Sequence, residues 1–319
     1  MLEPVIDRQV AEAFETMLLI RTFEEKSAEL QAAGKAPMMC TSVGQEASAV
    51  GVMSALRPED RILTNHRSAG HLIARGAEPR RIMAEILGKA TGYCKGKSGS
   101  LHISVKELGV VLTSTIVGGE LSLVTGVGLA LSMAESEAIA TVFFGDGAAT
   151  EGIFHESMNL ASVWNLPILY VCENNQWQAY VHRKETMQAD HLSDFAKPYG
   201  VKSVTVDGND VEAVMAAARE AAEYVRRERK PFLLETYTYR LRGHLEPDDQ
   251  AYVDKDELAK WKAKDPVKTL EMQLLESGVA RDEIEAIRSR VREQVEEAAE
   301  FALASPYPDF AELTTDVYA

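Results

Sequence analysis

Val10, Phe14, Met17, Leu18 and Arg21 recur at helical spacing, so residues 7–33 are predicted to form an opening amphipathic helix that stops at Gly34. Beyond it the pattern changes to several short apolar runs. Residues 61–64, 138–144, 166–172, 201–206 and 232–236 suit strands buried on both faces. Helical stretches separate these runs. The clearest carries Val211, Val214, Met215, Ala218, Ala222 and Val225 on one stripe, with Asp210 placed to cap its start. Strands alternating with helices predict an α/β chain whose mostly parallel sheet is flanked by helices. From about residue 254 the pattern turns charged and helical. Asp265-Pro266 opens a helix, Ser277-Gly278 closes it, and Ile284, Ile287, Val291, Val295 and Ala298 mark a last one. No Gly/Ser/Pro-rich linker or internal repeat interrupts the chain. One domain is therefore expected over residues 1–319, with N- and C-terminal helical additions and 254–319 as the C-terminal extension.

Composition narrows the function classes. The 319 residues are 46% hydrophobic, enough for a large core. Lys plus Arg number 34 against 49 Asp plus Glu, a net charge of -15, which argues against a nucleic-acid or anionic-membrane surface. No apolar run reaches the roughly 18 residues of a membrane span. The opening MLEPVIDRQVAEAF lacks the basic start and apolar core of a secretory signal. Cys40, Cys94 and Cys172 are odd in number and form no CxxC pair, which disfavours a disulfide framework or a zinc site. A reduced cytoplasmic setting is expected. The Gly-, Ala- and Ser-rich stretch GELSLVTGVGLALSMA (119–134) predicts close helix packing, either inside the fold or across a subunit contact.

Three motifs fail on spacing. Gly92 to Ser98 resembles a Walker loop but has three residues between its glycines, not four. Gly126-Val-Gly128 lacks a third glycine and a preceding strand. His155-Glu156 begins like HExxH, but Asn159 stands where the second histidine belongs. FFGDGAATEG (143–152) fares better. It leaves a buried strand with Asp146 between two glycines, and 26 residues later Asn174-Asn175 leaves the next strand, LPILYVCE. Two parallel strands joined by one helix place both exits on the same edge of the sheet, where open α/β sheets bind ligands. Asp146 and an Asn carboxamide then supply hard oxygens for Mg²⁺ or Ca²⁺. A helix after residue 148 is expected to turn its positive end toward a phosphate.

GDG, 26 residues and NN together resemble the thiamine-diphosphate motif. The surrounding residues resemble the alpha subunits of thiamine-dependent 2-oxo acid and acetoin dehydrogenases, over about residues 10 to 310. The segments that carry this are GQEASAVG (44–51), HRSAGHLIARG (66–76), GKATGYCKGKSGSLHI (88–103), IVGGE (116–120), the run 143–175 and TYRLRGHLEPDD (238–249). The resemblance implies the thiamine-diphosphate-binding fold, and it implies Mg²⁺ held by Asp146, Asn175 and the Trp177 carbonyl. Arg67 and Arg240 then grip the diphosphate, with backbone N–H groups from Gly147 and Ala148. His66 and Thr115 line the cofactor, and Val117 wedges between its two rings. His244 matches the histidine beside the reacting carbon, whereas the roles of His71 and His102 stay open. The resemblance also implies a separate beta subunit that supplies an activating glutamate and the pyrimidine-binding domain of an α2β2 assembly. A lipoyl acyltransferase would receive the product.

Family subtypes pull in different directions. Ala69 matches branched-chain types, Thr115 replaces a glycine of pyruvate types, and His66 and HLEPDDQAY (244–252) resemble acetoin types. Acetoin is favoured, with pyruvate and branched-chain 2-oxo acids as alternatives. Leu245 stands where animal pyruvate dehydrogenases carry a phosphorylated serine, so that control is not expected. A nicotinamide-dependent oxidoreductase would need a glycine fingerprint after the first strand, and none stands there. A non-catalytic scaffold would have lost Asp146, Asn175, Arg67 or Arg240, and all four are present.

Overall fold

The structure, a computed structural model, describes residues 8–317. The chain opens with α1 (Arg8–Ala32) and α2 (Glu46–Met53), then alternates. β1 (Arg61–Asn65) is followed by α3 (Ala69–Ala74) and α4 (Pro79–Ile86), and β2 (Val110–Ser114) by α5 (Gly119–Met133). β3 (Ala140–Gly145) leads to α6 (Gly152–Val163), and β4 (Ile168–Asn174) to a small hairpin, β5 (Trp177–Gln178) and β6 (Val181–His182). β7 (Lys202–Asp207), α7 (Val211–Glu228) and β8 (Phe232–Tyr237) complete the α/β part. Helices α8 (Lys255–Lys262), α9 (Pro266–Glu276) and α10 (Arg281–Ala304) follow. The predicted stops and starts hold: Gly34 takes φ +70 beyond α1, Asp210 accepts from the Ala213 N–H, and Asp265 accepts from the Val267 N–H. Residue 7 of the predicted opening helix lies outside the described residues.

Six strands form one parallel sheet in the order β2-β1-β3-β4-β8-β7. Side chains alternate across it. Leu63, Val142, Phe144, Tyr170 and Leu233 pack with α5 and α6 on one face. Ile62, Phe143, Leu169, Val171 and Leu234 pack with α2 and α7 on the other. The four inner strands therefore read as short apolar runs. Both edges depart from that pattern. Strand β2 went unpredicted because it is a short edge strand with an exposed Val111 and the polar ending Thr113-Ser114. The run at 201–206 is a strand but not buried on both faces: β7 is the other edge, and Ser203 to Val206 are only half-buried.

The order turns direction between β1 and β3: from β1 the chain moves outward to β2, and from β3 the other way to β4. That switch opens a crevice at the carboxyl ends of the strands.

An ion network braces the floor of this edge. Arg21 of α1, 8% exposed, donates from Nε to Glu46 Oε1 at 2.6 Å and from its terminal nitrogens to Asp265. Glu46 Oε2 accepts the Gly44 N–H at 2.9 Å. One guanidinium thus ties α1, the start of α2 and the start of α9. Removing one member of a buried ion group leaves uncompensated charge and costs about 3–5 kcal/mol. We expect Arg21→Met to lower unfolding free energy by about that much in urea denaturation. A loss below about 1 kcal/mol would dismiss the brace as a structural determinant.

Glu24 offers a pH test. It is fully buried, accepts from the Ser42 N–H and Oγ, and burial pushes its pKa from the ordinary 4.5 up to about 7. Between those values the folded chain keeps a proton that the unfolded chain has released. This group's contribution therefore falls as pH rises from 4.5 to about 7. Glu24→Gln should flatten that slope in thermal unfolding; an unchanged slope would contradict the assignment.

Candidate active site

A cleft of about 470 Å³ opens over the carboxyl ends of β1, β2, β3 and β4. The residues singled out in the sequence converge on it. His66, Arg67, Thr115, Val117, Gly147, Ala148, Asn175, Trp177, Arg240 and His244 all line it, and Asp146 is buried between Gly147 and Gly145, a further lining residue. The parallel register explains the meeting of the two motifs: Gly145 pairs with Glu173, so Asp146 and Asn174 leave the sheet side by side.

The two glycines do not serve a tight turn. Gly147 has an ordinary φ of -63°, and a Cβ at Gly145 would meet no protein atom within 4 Å. The missing side chain of Gly145 leaves open space for a ligand, whereas a Cβ at Gly147 would already touch the Gln178 side chain at 3.4 Å. After the glycines a 3₁₀ turn over Ala148–Thr150 comes first, and α6 then begins at Gly152, after residue 148 as expected.

Asp146 is 0% exposed, and neither carboxylate oxygen has a hydrogen-bond partner. Burial pushes its pKa up to about 6, against its own nearby backbone N–H, the charges of Arg183 and Arg240 and the Asn175 N–H, none of which reaches it as a full hydrogen bond. A buried carboxylate without donors is costly unless a cation completes it. Asn175 Oδ1 accepts the Trp177 N–H at 3.1 Å, and its Nδ2 donates to Gln45 Oε1 at 2.6 Å. Arg183 N–H donates to the Gln176 carbonyl, and bonded and non-bonded pairs alternate in an antiparallel ladder. The Trp177–His182 pair is therefore the non-bonded one, which leaves the Trp177 carbonyl outside the ladder. Among the described residues, no group of three His, Cys, Asp or Glu side chains converges as a metal site. One carboxylate with amide and carbonyl oxygens suits a hard divalent cation such as Mg²⁺ that completes its shell with phosphate and water.

Opposite charge waits across the cleft. Arg67 is 4% exposed and donates to the Thr41 carbonyl at 2.6 Å and the His244 carbonyl at 2.8 Å. Arg240 is 2% exposed and donates to the Ala179 carbonyl at 2.8 Å and the Tyr252 hydroxyl at 2.9 Å. Among the described ion pairs neither arginine has a carboxylate partner. Burial, and then Arg67, lower the Arg240 pKa to about 10. Two buried guanidiniums without counter-ions form a receptor for a compact anion. A wider depression of about 800 Å³ at the opposite edge lacks this feature: there Asp60 pairs Arg226, and the Ala138 carbonyl accepts from Arg229.

The histidines divide into three kinds. Burial and the neighbouring Arg67 lower His244 to about 4 and His66 to about 3, so both rings are neutral near pH 7. Arg67 can only donate, and its contact with His244 Nδ1 at 3.3 Å leaves the ring proton on Nε2. His71 lies below the cleft, stacked on Phe143, with Nε2 3.1 Å from Glu173 Oε1. It reaches the cleft only through Glu173, which lines it. His102 sits outside and braces Thr115 Oγ1 at 3.3 Å. Val117 is 53% exposed beside Ile116 on the loop before α5.

Sequence reasoning missed Gln45, Glu120 and Glu173, all buried and all lining the cleft. Gln45 stands in the quoted GQEASAVG segment, but its partner Asn175 is far away along the chain. Glu120 enters the first turn of α5, and burial pushes it up to about 7.

Comparison with known proteins agrees with this arrangement. The family described as Dehydrogenase E1 component matches residues 14–311. The chain is 43% identical to the alpha subunit of acetoin:2,6-dichlorophenolindophenol oxidoreductase from Bacillus subtilis, over 96% of this chain and 92% of that protein. It is 40% identical to the pyruvate dehydrogenase E1 component subunit alpha of Rhizobium meliloti, over 96% and 88%. The corresponding Rickettsia bellii subunit is 34% identical, over 98% and 97%. With a six-stranded parallel sheet, a cleft over its carboxyl edge and a family match across nearly its whole length, the chain belongs to the dehydrogenase E1 component family of thiamine-diphosphate-dependent oxidoreductases.

Proposed function

We propose that this chain is the alpha subunit of an acetoin-cleaving dehydrogenase that binds thiamine diphosphate with Mg²⁺. The carrying observation is the charge pattern of the cleft: a donor-less buried carboxylate at Asp146 and two buried guanidiniums, Arg67 and Arg240, without counter-ions. Magnesium diphosphate supplies what each lacks. Asp146, Asn175 Oδ1 and the Trp177 carbonyl would hold the cation, and Arg67 and Arg240 the phosphate oxygens. Gly147 and Ala148 would add backbone N–H groups. Thr115 and His66 would line the cofactor, and Val117 would prop it from its exposed loop. Bound there, thiamine diphosphate would supply the carbon nucleophile and electron sink for attack on a carbonyl.

The protein's own task is positioning and proton handling. His244 is neutral with its proton on Nε2, so it can donate to developing negative charge on a substrate oxygen and take the proton back. Its main-chain N–H is fixed by Asp248 Oδ2 at 2.6 Å and the Tyr252 hydroxyl at 3.0 Å. The 43% identity to the acetoin enzyme's alpha subunit favours acetoin. The 40% identity to a pyruvate dehydrogenase alpha subunit supports pyruvate as the alternative. In this reading a beta subunit contributes the activating glutamate, and a lipoyl acyltransferase accepts the product. The apolar residues exposed on α5 and α6, including Leu123, Met133, Val163 and Trp164, support a large subunit contact.

Two outcomes test this reading. In the α/β complex, Asp146→Ala should weaken Mg²⁺-dependent thiamine diphosphate binding at least about 100-fold by calorimetry, since even outer-shell partners of a metal ligand are worth about 10–100-fold. Undiminished binding would sink the metal assignment. With an artificial electron acceptor, the complex should turn over acetoin faster than pyruvate, and the chain without its partner should show negligible turnover. Preference for pyruvate would move the assignment to the alternative, and robust activity from this chain alone would refute the shared site.

A further inference from the structure

Gln45 has no role in the assignment above, yet the structure fixes it as tightly as any cleft residue. It is 1% exposed, it lines the cleft, and its Nε2 has no hydrogen-bond partner. A short chain of donors sets its orientation. The Trp177 N–H can only donate, so the atom of Asn175 that it meets must be Oδ1. Asn175 Nδ2 is then turned away from Trp177 and donates to Gln45 at 2.6 Å. The Gln45 atom that receives it must be Oε1, which leaves Nε2 as the free donor. Flipping either amide would set two N–H groups against each other.

The backbone permits no easy escape. Gly44 holds φ +102, and a Cβ there would lie only 2.4 Å from the Tyr239 carbonyl oxygen. Its N–H is held by Glu46, its carbonyl accepts from Thr238 Oγ1 at 2.9 Å, and the preceding Val43 carbonyl accepts from the Leu241 N–H. Asn175 is tied to the same segment, because its carbonyl accepts the Arg240 N–H at 3.2 Å. Gln45, Asn175 and Arg240 are therefore one unit built from three distant stretches of chain. A buried amide donor with no acceptor, in a unit with an unpaired guanidinium, is suited to an anionic oxygen.

We infer that Gln45 is a positioning residue of the cofactor clamp: Oε1 holds the Asn175 carboxamide in its metal-binding orientation, and Nε2 donates to an oxygen of the diphosphate. This rests on the magnesium–diphosphate reading above. Two variants separate the two halves of the role. Gln45→Glu keeps the shape and an oxygen for Asn175 Nδ2 but replaces the free donor with an acceptor. Gln45→Met removes both.

The test measures binding of thiamine diphosphate and of inorganic pyrophosphate to the α/β complex by calorimetry across a Mg²⁺ titration, with thermal unfolding of the cofactor-free complex alongside. Gln45→Glu should weaken both ligands by about 10–100-fold while the cofactor-free complex still unfolds in one cooperative transition. Gln45→Met should also raise the Mg²⁺ concentration needed for half-saturation about tenfold or more. Parent-like binding of both ligands by the two variants would overturn this inference alone. So would a loss confined to thiamine diphosphate with pyrophosphate unaffected. A parent complex that binds neither ligand would overturn the clamp reading and this inference with it.

Discussion

The Arg21 guanidinium is the constraint on which the floor of the site depends. It sits on the buried face of the first helix, where the apolar stripe would otherwise continue, and satisfies two carboxylates from different parts of the chain. Glu46, held this way, keeps its other oxygen on the Gly44 N–H, and that turn delivers Gln45 to Asn175. Three buried charges carry a large desolvation cost and offset it only through close mutual geometry. The network ties α1, the start of α2 and the start of α9 together through one guanidinium. The cleft inherits that arrangement through a single carboxylate.

The cleft itself is the opposite case. Its charges are left unmatched inside the protein, with Asp146 lacking donors and Arg67 and Arg240 lacking anions. Such a site is poorly satisfied by water and well satisfied by a ligand carrying both signs. Neutral His66 and His244 fit the same field, since two buried guanidiniums make a third positive charge unfavourable.

How much of this can be read from the residues alone follows from how local each signal is. The inner strands are legible because burial on both faces favours apolar runs, as at 142–144 and 168–172. The edges are read less fully, because one side meets solvent: β2, ending in Thr113-Ser114, leaves no apolar run, and β7 is legible as a strand but is only half-buried. The metal and phosphate candidates stood out because GDG and NN leave neighbouring strands at a readable distance. Gln45 and Glu173 were silent, since their roles depend on contacts with Asn175 and His71 that no local pattern encodes. His71 was visible as a histidine, but only the fold shows that it lies beneath the cleft.

The strand order has a further, kinetic meaning. Every neighbouring pair in the sheet is parallel, so no pairing can form through a hairpin, and each must wait for a crossover to fold back. Strand β4 finds its outer neighbour only when β8 has been made, after the whole of β7 and α7. Parts that meet in the cleft are thus among the most distant in sequence, and loop closure must precede the contacts that reward it. Pairing in this sheet is therefore slower than in a chain built from local contacts. Until β8 inserts, the apolar edge of β4 stays open, and an unpaired strand edge of that kind is where a half-made chain meets other chains.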